Sequence, residues 1–135
     1  VPGMKIIYDA AYPLLAHSQA ALVTSGTATL ETAAIGTPQV VCYRANGSKL
    51  SYKLFEHILK VRFVSLPNLI ADKEVVPELL LHLCNPDNIA AHLAPLLADS
   101  PERSAMLDGY KTVRQRLGSN DSAETAARQL IADLK

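Results

Sequence analysis

The chain has 135 residues, 49% of them hydrophobic, and a formal net charge of zero. This length suits one domain with a proper core, and the neutral balance argues against a general nucleic-acid binder, which needs clustered excess Lys and Arg. No apolar run approaches the ~20 residues that span a bilayer, and no signal peptide is visible. Cys42 and Cys84 lie in apolar segments without Cys-x-x-Cys spacing, which predicts reduced core residues of a cytosolic protein.

Strand and helix patterns alternate over the first part of the chain. Residues 4–8, MKIIY, have strand composition, and Lys5 suggests a position toward the edge of a sheet. Residues 10–18 then place apolar side chains at helical spacing, with Asp9 available as the N-cap and Pro13 in the first turn. Because alternating strands and helices form parallel sheets with helices on their faces, we expect an α/β fold.

Residues 20–44, AALVTSGTATLETAAIGTPQVVCYR, form the unit around which we expect the fold to be organised. An apolar strand over 20–24 leads into a helix that begins at Thr27. Gly36 ends this helix before a second buried strand over 40–43.

The turn between this strand and this helix predicts an anion site. It consists of Ser25, Gly26 and Thr27. Backbone N–H groups in the first turn of a helix lack intrahelical partners, and the helix dipole makes that end partly positive. Gly26 lets a ligand approach the backbone closely, so a phosphate is the expected occupant.

Glu31 extends this prediction to a nucleotide. It cannot form a Ser/Thr-x-x-Glu capping box, because Ala28 stands three residues before it. It sits about one turn above the anion site, where a carboxylate can accept two hydrogen bonds from a ribose diol. The alternative, an ordinary strand-to-helix turn with a solvated Glu31, is not excluded by spacing alone.

Residues 44–62 carry the strongest local charge in the chain. Five basic residues outnumber one acidic residue there, which leaves about +4. The basic residues are Arg44, Lys49, Lys53, Lys60 and Arg62. Residues 48–61 also show amphipathic helical spacing. Such a helix rests on an anionic membrane surface or near phosphate groups, or it packs on the core with a solvated Lys face.

Residues 63–66 return to strand composition, and Pro67 and Asn68 end the predicted strand. Asn68 then falls at the carboxyl end of a parallel strand, where open α/β sheets bind ligands. Its amide can donate and accept at once, which suits a sugar or a phosphate oxygen. It suits the backbone of its own turn equally well.

From residue 76 onward the pattern predicts helices only. They are expected over 77–84, 86–98, 101–117 and from about 121 to the end. We thus expect a single domain over 1–135, with a βαβαβαβ sheet part over 1–66 and a helical part over 75–135.

Several common catalytic patterns are absent from the sequence. It has no Gly-x-Ser-x-Gly elbow, Walker loop or Gly-x-Gly-x-x-Gly fingerprint, which argues against the commonest hydrolases, ATPases and dinucleotide enzymes. The histidines are scattered, and His82 with Cys84 has no second pair at zinc-like spacing. We therefore expect neither a metal site nor a cofactor.

Three segments together resemble the C-terminal half of the lipid-A-disaccharide synthase family. They are SGTATLE at 25–31, GTPQVVCYR at 36–44 and VSLPNLIADKEVVPEL at 64–79, in the family's order and at its intervals. SGTATLE is moderately specific, because related nucleotide-sugar enzymes carry comparable turns. The combination with SLPNLIA is much more specific.

The resemblance implies the donor-binding half of a GT-B glycosyltransferase, a fold with two Rossmann-like halves. Family members transfer 2,3-diacylglucosamine from its UDP donor to 2,3-diacylglucosamine 1-phosphate (lipid X), with inversion and without a metal, giving lipid A disaccharide 1-phosphate and UDP. The resemblance also implies a peripheral protein at the cytoplasmic face of the inner membrane. Because the chain starts at Val1 in a Pro-Gly turn, we interpret it as a piece of a longer protein and expect it to be inactive alone.

The same resemblance assigns residues to the donor. Those that would face the diphosphate are Ser25, Gly26 and Thr27. Glu31 would face the ribose, Asn68 would lie near the nucleotide, and Arg44 is a weaker candidate for phosphate contact.

Other functions stay open at this point. One is another UDP-sugar enzyme, such as a UDP-N-acetylglucosamine 2-epimerase or the peptidoglycan glycosyltransferase, and one is a non-enzymatic α/β interaction domain. An unpaired sheet edge with exposed apolar helix faces would also favour a homodimer.

Overall fold

A computed structural model of the chain describes residues 3–24, 26–43 and 62–118. Within these ranges three strands form one parallel sheet in the order β1 (Ala21–Val23), β2 (Gln39–Tyr43), β3 (Glu78–Leu80). The α-helices are α1 (Ala11–Ala16), α2 (Thr27–Ile35), α3 (Leu66–Ala71), α4 (Pro86–Leu93) and α5 (Pro101–Leu117). Short 3₁₀ helices follow β3 and α4, at Leu81–Leu83 and Ala94–Leu97. The predicted fold class, a partial Rossmann-like parallel sheet flanked by helices and followed by a helical part, is confirmed.

β2 is the centre of both the sheet and the core. Val40 and Val41 are fully buried, as expected for an apolar run without polar alternation in a parallel strand. In the sheet Val41 pairs with Val23 of β1 on one side and with Glu78 of β3 on the other. Because all three strands are parallel, their carboxyl ends lie at one edge, and the turn from β1 into α2 begins there.

α2 joins β1 to β2 as the sequence predicts. It begins after Gly26 and ends at Gly36, whose φ of 97° makes it a left-handed C-cap. The N–H groups of Gly36 and Thr37 both donate to the carbonyl oxygen of Thr32, at 3.0 and 3.2 Å. The strand-helix-strand unit predicted over 20–44 is therefore confirmed where the structure describes it.

The helices predicted near 86–98 and 101–117 are also confirmed. α4 starts where Asn85 Oδ1 accepts the N–H of Asn88 at 2.9 Å, and α5 starts where Ser100 Oγ accepts the N–H of Arg103 at 3.0 Å. α5 ends at Gly118, as predicted. These side-chain caps are local signals, which is why they could be read from the sequence.

α5 packs against both α2 and α3. Two arginines near the C-terminus of α5 contact the C-terminal ends of α2 and α3. Arg114 Nη2 donates to the carbonyl oxygen of Ala33 at 3.4 Å, and Arg116 Nη1 donates to that of Ile70 at 2.9 Å. Each of these carbonyls lies in the last turn of its helix, where a cation is favourable. α5 thereby ties the two shorter helices together.

The strand predicted over residues 4–8 is wrong. These residues have no regular secondary structure and are exposed, with 67% of Ile6 and 79% of Tyr8 accessible. Strand composition is not sufficient, because the backbone groups of a strand need a neighbouring strand as partner. Asp9 is also not the cap of α1: it has a φ of 56°, and Ala10 occupies the N-cap position.

The strand predicted over 63–66 and the helix predicted over 77–84 are wrong as well. α3 begins at Leu66, and Pro67 lies in its first turn, where its fixed φ suits a helix. The stretch 77–84 contains β3. The periodicity of this short apolar run fits a strand and a helix alike, and pairing with β2 selects the strand. The third strand thus lies in the part, 75–135, that the pattern assigned to helices.

Two predicted helices, over 48–61 and from about 121, lie outside the described residues. Of the five basic residues between 44 and 62, Arg62 is described. Its guanidinium lies 4.9 Å from the centroid of the Phe63 ring, and its Nη1 lies 3.8 Å from Asp72 Oδ1 in an exposed ion pair. Among the described helices, none has both the length and the apolarity needed to cross a membrane.

Candidate functional site

The turn from β1 into α2 leaves a helix start accessible. Gly26 is the N-cap of α2, with φ 129° and ψ −164°, a conformation that L side chains rarely adopt. A Cβ added at Gly26 would meet no atom of the described residues within 4 Å. The glycine is therefore required by the backbone conformation, and no described residue fills the space beside it.

The first amides of α2 are available to a ligand. Gly26 has no side chain with which to cap them, and Thr27 and Ala28 are exposed. The N–H of Thr29 donates to the carbonyl oxygen of Gly26 at 3.2 Å, so the amides before it are the ones without a partner in the helix. The partial positive charge of this helix end is thus open to an anion.

Glu31 lies on the same side of α2 as this open end. It follows Thr27 by four residues and so shares its face. With Gly26 as N-cap the N3 position is Thr29, which confirms that Glu31 lies beyond a capping box. Its side chain is exposed and forms no ion pair with another described residue. Because helical side chains lean toward the N-terminus, the carboxylate lies toward the open amides.

Three of the predicted site residues are described and exposed: Gly26 and Thr27 lie at the start of α2, and Glu31 lies one turn further along the same helix. Ser25 and Arg44 lie outside the described residues. The assignment of all five to a nucleotide stays a prediction.

Asn68 has a different environment from the one predicted, since it lies within α3 and is fully buried. Its Nδ2 donates to Val76 O at 2.9 Å and to Glu78 Oε1 at 2.8 Å. Its Oδ1 accepts the N–H groups of Val75 at 2.7 Å and Val76 at 2.9 Å. All its donors and lone pairs are used, which supports the alternative that Asn68 serves the backbone of its own loop. Its proximity to a nucleotide stays a prediction.

Glu78, which the sequence pattern did not single out, anchors the segment that precedes α3 to the sheet. From the first position of β3 its carboxylate accepts the N–H of Val64 at 2.9 Å and both the N–H and the hydroxyl of Ser65, at 2.8 and 2.6 Å. Hydrogen bonds to an ionised acceptor are the stronger kind, and they compensate for removing the charge from water. Only the pairing of β3 with β2 brings Glu78 to this place, so no local signal could have found it.

Two cavities lie near this loop. One of about 210 Å³ is lined by Arg62, Phe63, Asn68, Glu74, Glu78 and Leu80. The other, of about 310 Å³, receives polar groups from Glu74, His92 and Glu102 around a floor that includes Leu96 and Met106. Neither is lined by residues of the first turn of α2.

The two cysteines are free, half-buried thiols. Burial, together with the neighbouring thiol of Cys84, raises the pKa of Cys42 to about 11. Cys42 is therefore protonated near neutral pH and is a poor nucleophile. Across the described ranges, no three His, Cys, Asp or Glu side chains gather into a group that could hold a metal ion.

Comparison with known proteins places these features in a family. The family profile described as lipid-A-disaccharide synthetase matches residues 4–132. A lipid-A-disaccharide synthase from Syntrophus aciditrophicus is 39% identical over 134 residues, which are 99% of this chain and 34% of the relative. One from Acidobacterium capsulatum is 40% identical over 131 residues, which are 97% of this chain and 32% of that relative. One from Serratia proteamaculans is 41% identical over 115 residues, which are 84% of this chain and 30% of that relative.

The chain thus spans about a third of the length of the curated relatives it matches. The profile match covers nearly all of the chain and includes the three segments that carried the resemblance. This chain belongs to the lipid-A-disaccharide synthetase family.

Proposed function

We propose that this chain binds the uridine diphosphate part of a nucleotide-sugar donor at the start of α2. One observation carries the proposal: Gly26 and the amides that follow it are exposed at the start of α2, and the exposed Glu31 side chain lies one turn further along the same helix. Membership of a family named for joining two sugars makes a sugar nucleotide the natural ligand for such an end.

The chemistry of this end suits the two parts of the ligand. Phosphate oxygens would accept hydrogen bonds from the N–H groups of Thr27 and Ala28, and the helix dipole adds about 0.3–1 kcal/mol for a negative charge there. The ribose hydroxyls would donate to Glu31, and hydrogen bonds to a charged group contribute roughly 1.5–3 kcal/mol each. The backbone positions of Thr27 and Glu31 lie about one helical turn, about 5.4 Å, apart along the axis, so the two residues would meet different parts of the ligand.

For the whole reaction we propose inverting transfer of 2,3-diacylglucosamine from its UDP donor to lipid X. As the bond to UDP breaks, negative charge develops on the leaving diphosphate, and the start of α2 would stabilise it. The base that deprotonates the attacking hydroxyl is not assigned to this chain. We therefore expect no disaccharide from the 135-residue chain alone, and product formed by it would contradict this assignment.

We place the reaction at the cytoplasmic face of the inner membrane, to which the protein would bind peripherally. Support comes from the acylated substrates proposed above and from the charge of about +4 over residues 44–62. Co-sedimentation with vesicles containing anionic lipid tests this. Binding should fall when Lys49→Glu and Lys53→Glu are combined, and unchanged binding would dismiss the contribution of this segment.

We also propose a homodimer, because Met4, Ile6 and Tyr8 expose large apolar side chains within one short stretch. Sedimentation equilibrium of the purified chain tests it. Replacing Ile6 and Tyr8 by Ser should shift the protein to the monomer, and a monomeric wild type would remove the proposal.

Isothermal calorimetry with UDP and with uridine tests the nucleotide site. Glu31→Gln should weaken UDP binding roughly ten-fold, because the neutral amide is a poorer acceptor for the ribose. Glu102→Gln is the matched control, since Glu102 is an exposed glutamate in the first turn of another helix, and it should leave UDP affinity unchanged. Absence of UDP binding by the folded wild type would contradict the proposal and favour an interaction domain without a nucleotide.

A further inference from the structure

The start of α2 is held from inside the protein by Thr29. This residue is fully buried, so it cannot touch a ligand at the surface. Its N–H and its hydroxyl both donate to the carbonyl oxygen of Gly26, at 3.2 and 2.7 Å. Thr29 therefore fixes the direction of one particular peptide group, the one between Gly26 and Thr27.

Fixing that carbonyl also fixes an amide. In a planar trans peptide the C=O and the N–H point in opposite directions. Because the carbonyl of Gly26 is drawn toward Thr29 inside the helix, the N–H of Thr27 points away from the helix, toward the open end. Gly26 alone would not hold this direction, since a glycine has a wide range of backbone conformations.

Thr29 is itself anchored from the core. Gln39 Nε2 donates to the carbonyl oxygen of Thr29 at 2.9 Å and to the hydroxyl of Tyr110 at 3.2 Å. That hydroxyl donates to the carbonyl oxygen of Thr37 at 3.1 Å, and burial raises the pKa of Tyr110 well above its usual range, so the donor proton is retained. β2 and α5 thereby fix the first turn of α2.

Gln39 holds this position at a cost. It is fully buried, and its Oε1 has no hydrogen-bond partner among residues 3–24, 26–43 and 62–118. An apolar side chain would avoid the penalty of an unsatisfied buried oxygen. Gln39 instead donates two hydrogen bonds that an apolar side chain could not make, and one of them is accepted by the carbonyl oxygen of Thr29.

We infer that Thr29 is a positioning residue for the diphosphate and that it acts by orienting the Gly26–Thr27 peptide group. This inference rests on the proposed function, because it supposes that the N–H of Thr27 binds a phosphate oxygen. It adds a residue that never meets the ligand and that the family resemblance did not assign.

The experiment compares two buried threonines of α2. Thr32 is buried like Thr29, and its hydroxyl donates to the carbonyl oxygen of Ala28 at 2.7 Å, within the helix proper. Each variant loses one hydrogen bond, but only the bond of Thr29 orients the Gly26–Thr27 peptide group. In the 135-residue chain Thr29→Val should therefore weaken UDP binding roughly five-fold, and Thr32→Val by less than about two-fold. Uridine affinity should be equal in both variants, because uridine carries no phosphate.

Three further readouts separate positioning from a general loss of structure. Urea unfolding should show similar losses for the two valine variants, Thr29→Ser should restore UDP affinity to within about two-fold of the wild type, and inorganic pyrophosphate should follow UDP. Equal UDP affinities of Thr29→Val and the wild type would overturn the inference and leave the proposed function intact. A folded wild type that binds neither UDP nor pyrophosphate would remove both.

Discussion

The starts of α2 and α3 differ in how far the protein covers them. At the start of α3, Ser65 and Asn68 are fully buried, and the Glu78 carboxylate accepts the N–H groups of Val64 and Ser65, which precede that helix. At the start of α2 the N-cap is an exposed glycine. One helix start is thus closed, being covered by the protein, and the other is open.

This difference separates the two sequence segments that carried the family resemblance. Around α3, Ser65 and Asn68 are fully buried and hydrogen-bonded to the protein itself. Around α2 the residues that would meet a ligand are exposed, and the buried one, Thr29, supports them. The two segments therefore differ in how accessible their predicted site residues are.

Replacing Asn68 should lower the free energy of unfolding more than any other change proposed for this comparison. Asn68→Ala deletes four hydrogen bonds, three of them buried, and leaves the Val75 and Val76 amides without that partner, so we expect a loss of about 3 kcal/mol in the free energy of unfolding. Urea unfolding of the 135-residue chain measures it. Asn88→Ala, which removes an exposed side-chain bond to Leu83 O, is the control and should cost less than about 1 kcal/mol. Equal losses would mean that the buried network contributes little.

Adding a methyl group at Gly109 should have the next largest effect on the free energy of unfolding. A Cβ there would lie 2.5 Å from Val75 Cγ1, in the loop that Asn68 holds. We expect Gly109→Ala to lower the free energy of unfolding by about 2 kcal/mol, although alanine is the better helix former. Val75→Ala in the same chain removes the clash, so the double variant should be more stable than Gly109→Ala alone. No recovery would show that the steric conflict lies elsewhere.

Gly26→Ala tests the open helix start with a smaller effect on stability. The φ of 129° disfavours alanine, yet the position is exposed and the turn can relax, so a loss of about 1 kcal/mol is expected. Gly36→Ala is the matched control at the other end of α2, where φ is 97°. Both variants should lose similar stability in thermal unfolding, but Gly26→Ala alone should weaken UDP binding. Similar UDP affinities in the two variants would argue against a site at Gly26.

The two glutamates provide a direct test of the contrast, and Glu31→Gln should have the smallest effect on stability of these variants. Glu31→Gln should change the free energy of unfolding by less than about 0.5 kcal/mol, because the side chain is exposed. Glu78→Gln should cost more than about 1 kcal/mol, since an amide cannot accept all the hydrogen bonds that the carboxylate accepts. Urea unfolding decides, and a reversed order would invalidate the distinction between a closed and an open helix start.

The sequence predicts the unit from β1 through α2 to β2 because its signals are local. Gly26 and Gly36 bracket the helix, and the spacing of Thr27 and Glu31 places both on one face. The exposed part of the candidate site was predictable for the same reason. Thr29 was not, since its burial and its anchoring by Gln39 of β2 depend on packing that no local pattern encodes.

The errors around α3 have a tertiary origin. Pro67 can end a strand or begin a helix, and a leucine-rich run such as 79–83 can form either element. The choice depends on the pairing of β3 with β2 and on the bonds that Glu78 makes across the loop. Both depend on parts of the chain that lie far from Pro67 in sequence.

The two arginines of α5 that reach the last turns of α2 and α3 have a consequence for dynamics. Because Arg114 and Arg116 stand on one helix, opening either short helix disturbs the other through their common support. Amide protons of both helices should then exchange with deuterium in one cooperative event at a shared rate. α2 and α3 also contact each other directly, so replacing both arginines should weaken this coupling without removing it.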